Sequence, residues 1–156
     1  MGRDTMSVLF LCYGNSCRSI LAEALARHCW PPSIRVSSAG LFPLGHITPH
    51  TLAALGEAGI PANGLYSKGF PDIQMEEIDY IVDLTGLDIR DLIPPAFPGK
   101  LLSFNIHDPY GEGLDSFRKV RDELKRLITE KLPKLLEPEN GAHRHDGPPS
   151  QSSESE

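Results

Sequence analysis

Apolar residues follow two spacings along this chain, and the two alternate. Ser7-Val8-Leu9-Phe10-Leu11 is a short, nearly continuous apolar run bounded by turn formers. Such a run predicts a strand buried on both faces, as in a parallel sheet. From Arg18 onward Ile20, Leu21, Ala24, Leu25 and His28 recur at helical spacing, and Pro31-Pro32 ends the helix. Ile34 to Ser38 predicts a second strand, closed by Ala39-Gly40. Thr48-Pro49 predicts an N-cap with proline in the first helical position, for a helix through Leu52, Leu55 and Ala58 that stops at Gly59. Asp79 to Leu84 predicts a third strand, with a short helix near Asp88 to Leu92 and Pro94-Pro95 after it. Lys100 to Phe104 predicts a fourth. Within Gly113 to Leu136 a long amphipathic helix carries Phe117, Val120, Leu124, Leu127 and Ile128 as its apolar stripe. Strands alternating with helices predict an α/β fold, a parallel sheet flanked by helices.

After Leu136 the pattern stops. Glu137 to Glu156 is rich in Pro, Gly, Ser, His and acidic residues and has no apolar periodicity. It is expected to be a disordered tail behind one domain, residues 1–136. No internal repeat is present.

Composition narrows the function classes. The 156 residues are 40% hydrophobic and 23% charged, as in an ordinary globular domain, with a net charge of −6. An acidic chain is a poor fit to nucleic acid or an anionic membrane as its main partner. An anionic substrate must then be drawn by a local positive site. No stretch is long and apolar enough to span a bilayer, and the run after Met1 to Met6 is too short for a secretory leader. Three cysteines, Cys12, Cys17 and Cys29, without a leader point to a reducing compartment and thiol chemistry. The expected location is the cytoplasm, and the expected state a monomer.

Candidate chemistry sits where the first strand gives way to the first helix, in Cys12-Tyr13-Gly14-Asn15-Ser16-Cys17-Arg18-Ser19. Ligands in open α/β sheets bind beyond the carboxyl ends of strands. A helix N-terminus there offers unpaired amides and a positive dipole end to an oxyanion. Gly14 and Asn15 tolerate unusual backbone angles, which lets successive amides face one hollow. Arg18 adds a planar fork that pairs two phosphate oxygens at once. Positive surroundings favour the thiolate of Cys12, which would attack phosphorus and form a covalent intermediate. Ser19 is placed to hydrogen-bond the sulfur and ease its departure. A lone cysteine at a strand end is usually a small hydrophobe. Cys-x5-Arg-Ser between a buried strand and an apolar-periodic helix tips the balance to chemistry.

The segment Val8 to Leu25, VLFLCYGNSCRSILAEAL, resembles the signature of the low-molecular-weight protein tyrosine phosphatase superfamily. Ser38-Ala39-Gly40 resembles its Ser-Ala-Gly turn, and Asp79-Tyr80-Ile81 with Arg90-Asp91-Leu92 its third strand and following helix. His107 to Ile128 resembles its acid loop and last helix. The likeness spans residues 7 to 136 and implies a three-layer αβα sandwich on a central four-stranded parallel sheet. It implies a general acid at Asp108, in Asp108-Pro109-Tyr110-Gly111, although Asp-Pro alone is commonly a turn. It also implies that Tyr13 and Tyr110 line the entrance, and that Gly14, Asn15, Ser16, Cys17 and Ser19 complete the binding loop. Cys17 would form a reversible disulfide with Cys12 under oxidation, or serve only as a small packing residue. Cys29 reads as structural. His46, His50 and His107 match no metal spacing, His143 and His145 read as solvated tail residues, and no metal or cofactor is expected.

The resemblance implies three substrate classes: phosphotyrosine, phosphoarginine and arsenate. Tyrosine-specific members typically carry a larger aliphatic residue at the position of Ser16. Protein-arginine phosphatases typically carry threonine there, and arsenate reductases often serine. Gly45 to Leu55, GHITPHTLAAL, and the acid-loop helix look most like the bacterial phosphatase branch. Thioredoxin-coupled arsenate reductases need two further cysteines after the third strand, and Asp83 to Phe104 contains none. The leading expectation is a phosphatase acting on phosphorylated protein side chains through a cysteinyl-phosphate. The alternative is an arsenate reductase that borrows an external thiol. A non-catalytic oxyanion-binding module would be expected to lack the nucleophile or the acid, and both are present.

Overall fold

The computed structural model describes residues 5–136. The predicted tail, Glu137 to Glu156, lies outside the described residues. The strands are β1 (Met6–Cys12), β2 (Ile34–Gly40), β3 (Tyr80–Asp83) and β4 (Lys100–Ser103). They form one parallel sheet in the order β2-β1-β3-β4. The helices are α1 (Arg18–Cys29), α2 (Pro49–Glu57) and α3 (Leu114–Arg126).

β1 is an inner strand, which explains its unbroken apolar run. Its side chains alternate between two cores. Val8 and Phe10 enter the core shared with α1, α2 and α3, through Leu21, Leu25, Leu55, Phe117 and Leu124. Leu9 and Leu11 enter the opposite core with Ala39, Met75, Ile78, Ile81 and Ile89. The protein is therefore a three-layer α/β sandwich with the sheet in the middle. Its second covering layer is built on short 3-10 turns, Phe70–Asp72, Met75–Glu77 and Arg90–Leu92, rather than long helices. The short helix expected near Asp88 to Leu92 is the last of these turns.

Other departures have local causes. Residues 18–26 of α1 are buried on every side, so this helix shows no strong stripe. His28, expected on its apolar face, is exposed in the last turn, as is Cys29, which plays no core role. On α2 the buried face is Thr51, Ala54 and Leu55, whereas Leu52 and Ala58 are exposed. The face is rotated because the Thr51 hydroxyl donates inward to the Ser16 carbonyl at 2.9 Å. Thr48 precedes α2 as expected, but its hydroxyl makes no cap bond and meets that of Thr51 at 2.7 Å. The long last helix is interrupted: α3 passes into a π turn over Leu127–Lys131 and then one helical turn, Leu132–Leu135. Pro133 accounts for this, since its ring has no N–H to give and crowds the carbonyl four residues back. The predicted stripe of Phe117, Val120, Leu124, Leu127 and Ile128 is nonetheless buried.

All four strands end on one side of the sheet. There β1 stops at Cys12, β3 at Asp83, and α1 begins at Arg18.

Candidate active site

The loop from Cys12 to Arg18 is moulded by two residues at its base. Asn15 adopts a left-handed φ of 48°, the one non-glycine residue to do so among those described. The side chain of Asn15 stabilises that conformation. Its Nδ2 donates to Ser19 Oγ at 2.7 Å and Ser38 Oγ at 2.9 Å, and its Oδ1 accepts from the Lys68 amide at 2.8 Å. Gly40 supplies room: a Cβ there would lie 2.6 Å from the Asn15 nitrogen and 2.9 Å from the Tyr13 carbonyl oxygen, both backbone atoms that cannot swing away.

Behind Asn15 a buried polar chain continues. The Ser38 hydroxyl donates to Glu23 Oε1 at 2.5 Å, and Glu23 pairs with Arg27 at 2.5 Å and Lys68 at 3.7 Å. Glu23 and Lys68 are 1% and 7% exposed, so the carboxylate has both cations as compensation for lost solvent. Burial pushes the Lys68 ammonium down from its ordinary range, while Glu23 pulls it back up. Glu23 and Lys68 were not singled out from sequence, and Ser38 was read only as part of the Ser38-Ala39-Gly40 turn. An acidic residue inside the otherwise apolar Ile20 to Ala26 stretch was the available signal for Glu23.

Cys12 is buried at the floor of the loop. Its Sγ lies 2.9 Å from Ser19 Oγ and accepts from the Ser19 amide at 3.4 Å. Ser19 Oγ also lies within reach of the Ala39 carbonyl at 3.5 Å. Arg18 is 5% exposed and is fixed through one nitrogen. Nη1 donates to the carbonyls of Leu84 and Ile106, both at 3.1 Å. Nη2 lies 3.5 Å from Asp108 Oδ2. Nε is buried and has no hydrogen-bond partner among the described residues. One corner of the guanidinium is thus committed to the scaffold, while on the Nε–Nη2 edge Nε has no partner among the described residues and Nη2 has only the 3.5 Å contact with Asp108, so this edge can take a bidentate acceptor.

Asp108 arrives from the loop after β4, distant in sequence from Arg18. The Tyr110 amide donates to its Oδ1 at 3.1 Å, an Asx turn that holds the carboxylate. His107 Nε2 meets Glu112 Oε1 at 2.8 Å and so closes the loop at its base. Asp108 is half-exposed, at 50%.

Tyr13 and Tyr110 are 48% and 53% exposed. Phe42 joins Tyr13, their ring centroids 5.2 Å apart, and was not anticipated. Leu44 packs over Gly14, where a Cβ would come within 2.9 Å of Leu44 Cγ. An apolar, aromatic rim therefore flanks a polar hollow.

Cys17 is buried beside Thr48 and Ser16, with its sulfur 3.6 Å and 4.0 Å from their hydroxyls. Burial pushes the Cys17 thiol up, and these hydroxyls offset it only partly. The Ser16 side chain is itself buried and turned toward Cys17. Asp83, at the end of β3, is wholly buried. Its Oδ1 accepts from the Thr85 amide at 2.9 Å, while Oδ2 has no hydrogen-bond partner among the described residues. Burial pushes the Asp83 carboxyl up, against weaker opposition from Thr85 and Arg18. Among the described residues no three His, Cys, Asp or Glu side chains are grouped to hold a metal, and no helix is long and apolar enough to cross a membrane.

Residues 7–140 match the low molecular weight phosphotyrosine protein phosphatase family, and the chain belongs to it. The family includes both phosphatases and arsenate reductases. One relative is the glutaredoxin arsenate reductase of Synechocystis, 29% identical over 82% of this chain and 97% of its own. Another is the protein-arginine-phosphatase of Bacillus subtilis, 31% identical over 79% of this chain and 92% of its own. Among solved structures, an arginine phosphatase from Geobacillus stearothermophilus superposes with a TM-score of 0.74. It is 29% identical over 90% of this chain and 99% of that one. An arsenate reductase in a phosphate-binding state reaches 0.73, at 28% identity over 85% and 100%. The family is thus established, and these relatives divide between phosphatases and arsenate reductases.

Proposed function

We propose that this protein hydrolyses phosphorylated protein side chains through a cysteinyl-phosphate on Cys12. The observation that carries the reading is the Nε–Nη2 edge of Arg18, whose buried Nε has no partner among the described residues and whose Nη2 has only its long contact with Asp108. A phosphoryl group seated on that edge and on the loop amides presents phosphorus to Sγ.

The steps follow from the groups present. The Cys12 thiolate attacks phosphorus, the S–P bond forms, and the P–O or P–N bond to the side chain breaks. Asp108, as the carboxylic acid, gives its proton to the departing oxygen or nitrogen. The resulting carboxylate then takes a proton from water as the water oxygen attacks phosphorus. The S–P bond breaks, sulfur leaves as thiolate, and the Ser19 hydroxyl stabilises it by donating across 2.9 Å. Asn15 fixes Ser19 in that position. Arg18 balances the charge on the equatorial oxygens throughout.

Arsenate reduction is the second reading. Internal thiol relay would need cysteines facing Cys12. Cys29 is exposed at the far end of α1, and burial pushes the Cys17 thiol up, away from the reactive thiolate. An external thiol would therefore be required. The rim of Tyr13, Phe42 and Leu44 favours an organic side chain over a bare oxyanion, since arsenate has nothing to place on it.

A panel of phosphotyrosine peptide, phosphoarginine peptide and arsenate with added thiols tests the assignment. Peptide dephosphorylation is expected; arsenate reduction without it would reverse the order of the two readings. Ser16→Ile should move selectivity toward phosphotyrosine by about tenfold in relative kcat/KM, the scale of one to two methylenes in a pocket. An unchanged ratio would remove Ser16 from the specificity argument.

A further inference from the structure

We propose that Asp83 is a positioning residue that sets the charge behind the Arg18 cradle and so limits how tightly the site holds its oxyanion. The inference rests on the phosphatase reading of the site and deepens it. β1 and β3 pair in register, with Leu11 opposite Asp83, so the acid ends its strand beside the residue that precedes the nucleophile. The next residue, Leu84, accepts Arg18 Nη1 through its carbonyl and gives its amide to Leu11. Asp83 is thus coupled to both halves of the cradle through one peptide unit. Its alternation places it on the Ile81 face of the sheet, in a strand that is otherwise apolar and aromatic: Tyr80, Ile81, Val82 and then Leu84.

A buried carboxylate with an unpartnered oxygen contributes little to fold stability, because its desolvation is not repaid by hydrogen bonds. Stability alone does not explain it. Its effect on Arg18 does. Arg18 carries the positive charge that attracts a phosphate dianion, and an anion behind it weakens that attraction through a poorly screened interior. The charged groups facing Asp83 are few. Arg18, from α1, acts on its charge, and Asp108 stands beyond Arg18. β4 contributes the uncharged Ser103, its register partner. Within Asp83's own segment Thr85 holds one oxygen. Asp88 is exposed and already paired with Arg90. Weak product binding is useful to a hydrolase, because inorganic phosphate occupies the same cradle as substrate.

The test is titration calorimetry with inorganic phosphate on the full chain, comparing wild type, Asp83→Asn and Asp83→Ser across pH. Differences between variants at one pH cancel the ionisation of phosphate itself. Both neutral variants are expected to bind phosphate roughly threefold to tenfold more tightly at pH values above the raised Asp83 range, where wild type carries the charge, the scale of a partly screened charge acting at a distance. The gap should close as pH falls through the raised Asp83 range, where wild type also becomes neutral. The folded-state value lies above the unfolded one, so stability linked to this group is full at low pH and lost as pH rises through it. Asp83→Asn should accordingly melt above wild type at pH values above the raised Asp83 range and converge with it as pH falls through that range. The serine variant retains a small polar group and guards against misfolding of the amide. Equal affinity at every pH, or a gap that does not change with pH, overturns the inference while leaving the phosphatase reading intact. Failure of all three proteins to bind phosphate overturns both.

Discussion

Cys12→Ser is expected to lose at least ~10⁴-fold in hydrolysis of an aryl phosphate while still binding inorganic phosphate, the scale seen when a nucleophile is removed from a cooperative site. The substitution exchanges one small atom at a buried position, and the elements that shape the cradle do not depend on sulfur. Asn15 keeps its bonds to Ser19, Ser38 and Lys68, and Arg18 keeps its two carbonyls. What goes is the sulfur that the Ser19 amide and hydroxyl both face. A serine hydroxyl has no hydrogen-bonded base beside it here, because the partners at this position are the Ser19 hydroxyl and amide. Initial rates and phosphate titration on the same preparation separate the two properties. Wild-type rates in Cys12→Ser would refute nucleophilic catalysis by Cys12.

Asp108→Ala is expected to lower kcat by ~10²–10⁴, the usual range for a positioned acid or base. Its contact with Arg18 is 3.5 Å long and its side chain is half-exposed, so the fold should barely register the change. The loss should depend on the leaving group. An acidic phenol departs without much help, and its ester should be hydrolysed with a smaller deficit than an alkyl or guanidino phosphoryl compound. A plot of log kcat against leaving-group pKa, flat or shallow in wild type, should steepen in Asp108→Ala. Equal loss for good and poor leaving groups would assign Asp108 to electrostatics around Arg18 and not to proton transfer. Thermal melting of the variant, expected near wild type, guards against a structural explanation.

Local patterns carried most of what could be read in advance. The β1 run, the switch to helical spacing at Arg18 and the stripe on α3 each report burial, which depends on neighbours close in sequence. The Cys12 loop was legible because strand, loop and helix are contiguous. Asp108 was legible only through family resemblance, since nothing local distinguishes Asp108-Pro109 from a turn. Less legible were features made by pairing between distant segments. The chain from Asn15 through Ser38 to Glu23 and Lys68 joins four separate parts of the sequence. The outward Leu52 misled because Thr51 finds a buried acceptor that makes a polar residue cheaper inside than periodicity allows. His28 matched the spacing of α1 but lies in its last, solvent-facing turn. Pro133 was visible, yet its effect, a π turn and not an ending, depends on Leu132 and Leu136 being held in the core.

Two of these hidden features bear on chemistry. Glu23 and Lys68 make the base of Asn15 rigid, and so fix Ser19 against the sulfur. Phe42 completes with Tyr13 the rim that separates an organic phosphoryl substrate from a bare oxyanion.

The central claim is that Cys12 becomes phosphorylated. Rapid mixing of the wild-type protein with an aryl phosphate, acid quenching and peptide mass spectrometry tests it directly. The account predicts one phosphoryl group on the peptide containing Cys12, formed within the first turnover and absent in Cys12→Ser. Steady release of phosphate with no label on Cys12 at any quench time, or a label on another residue, would contradict it.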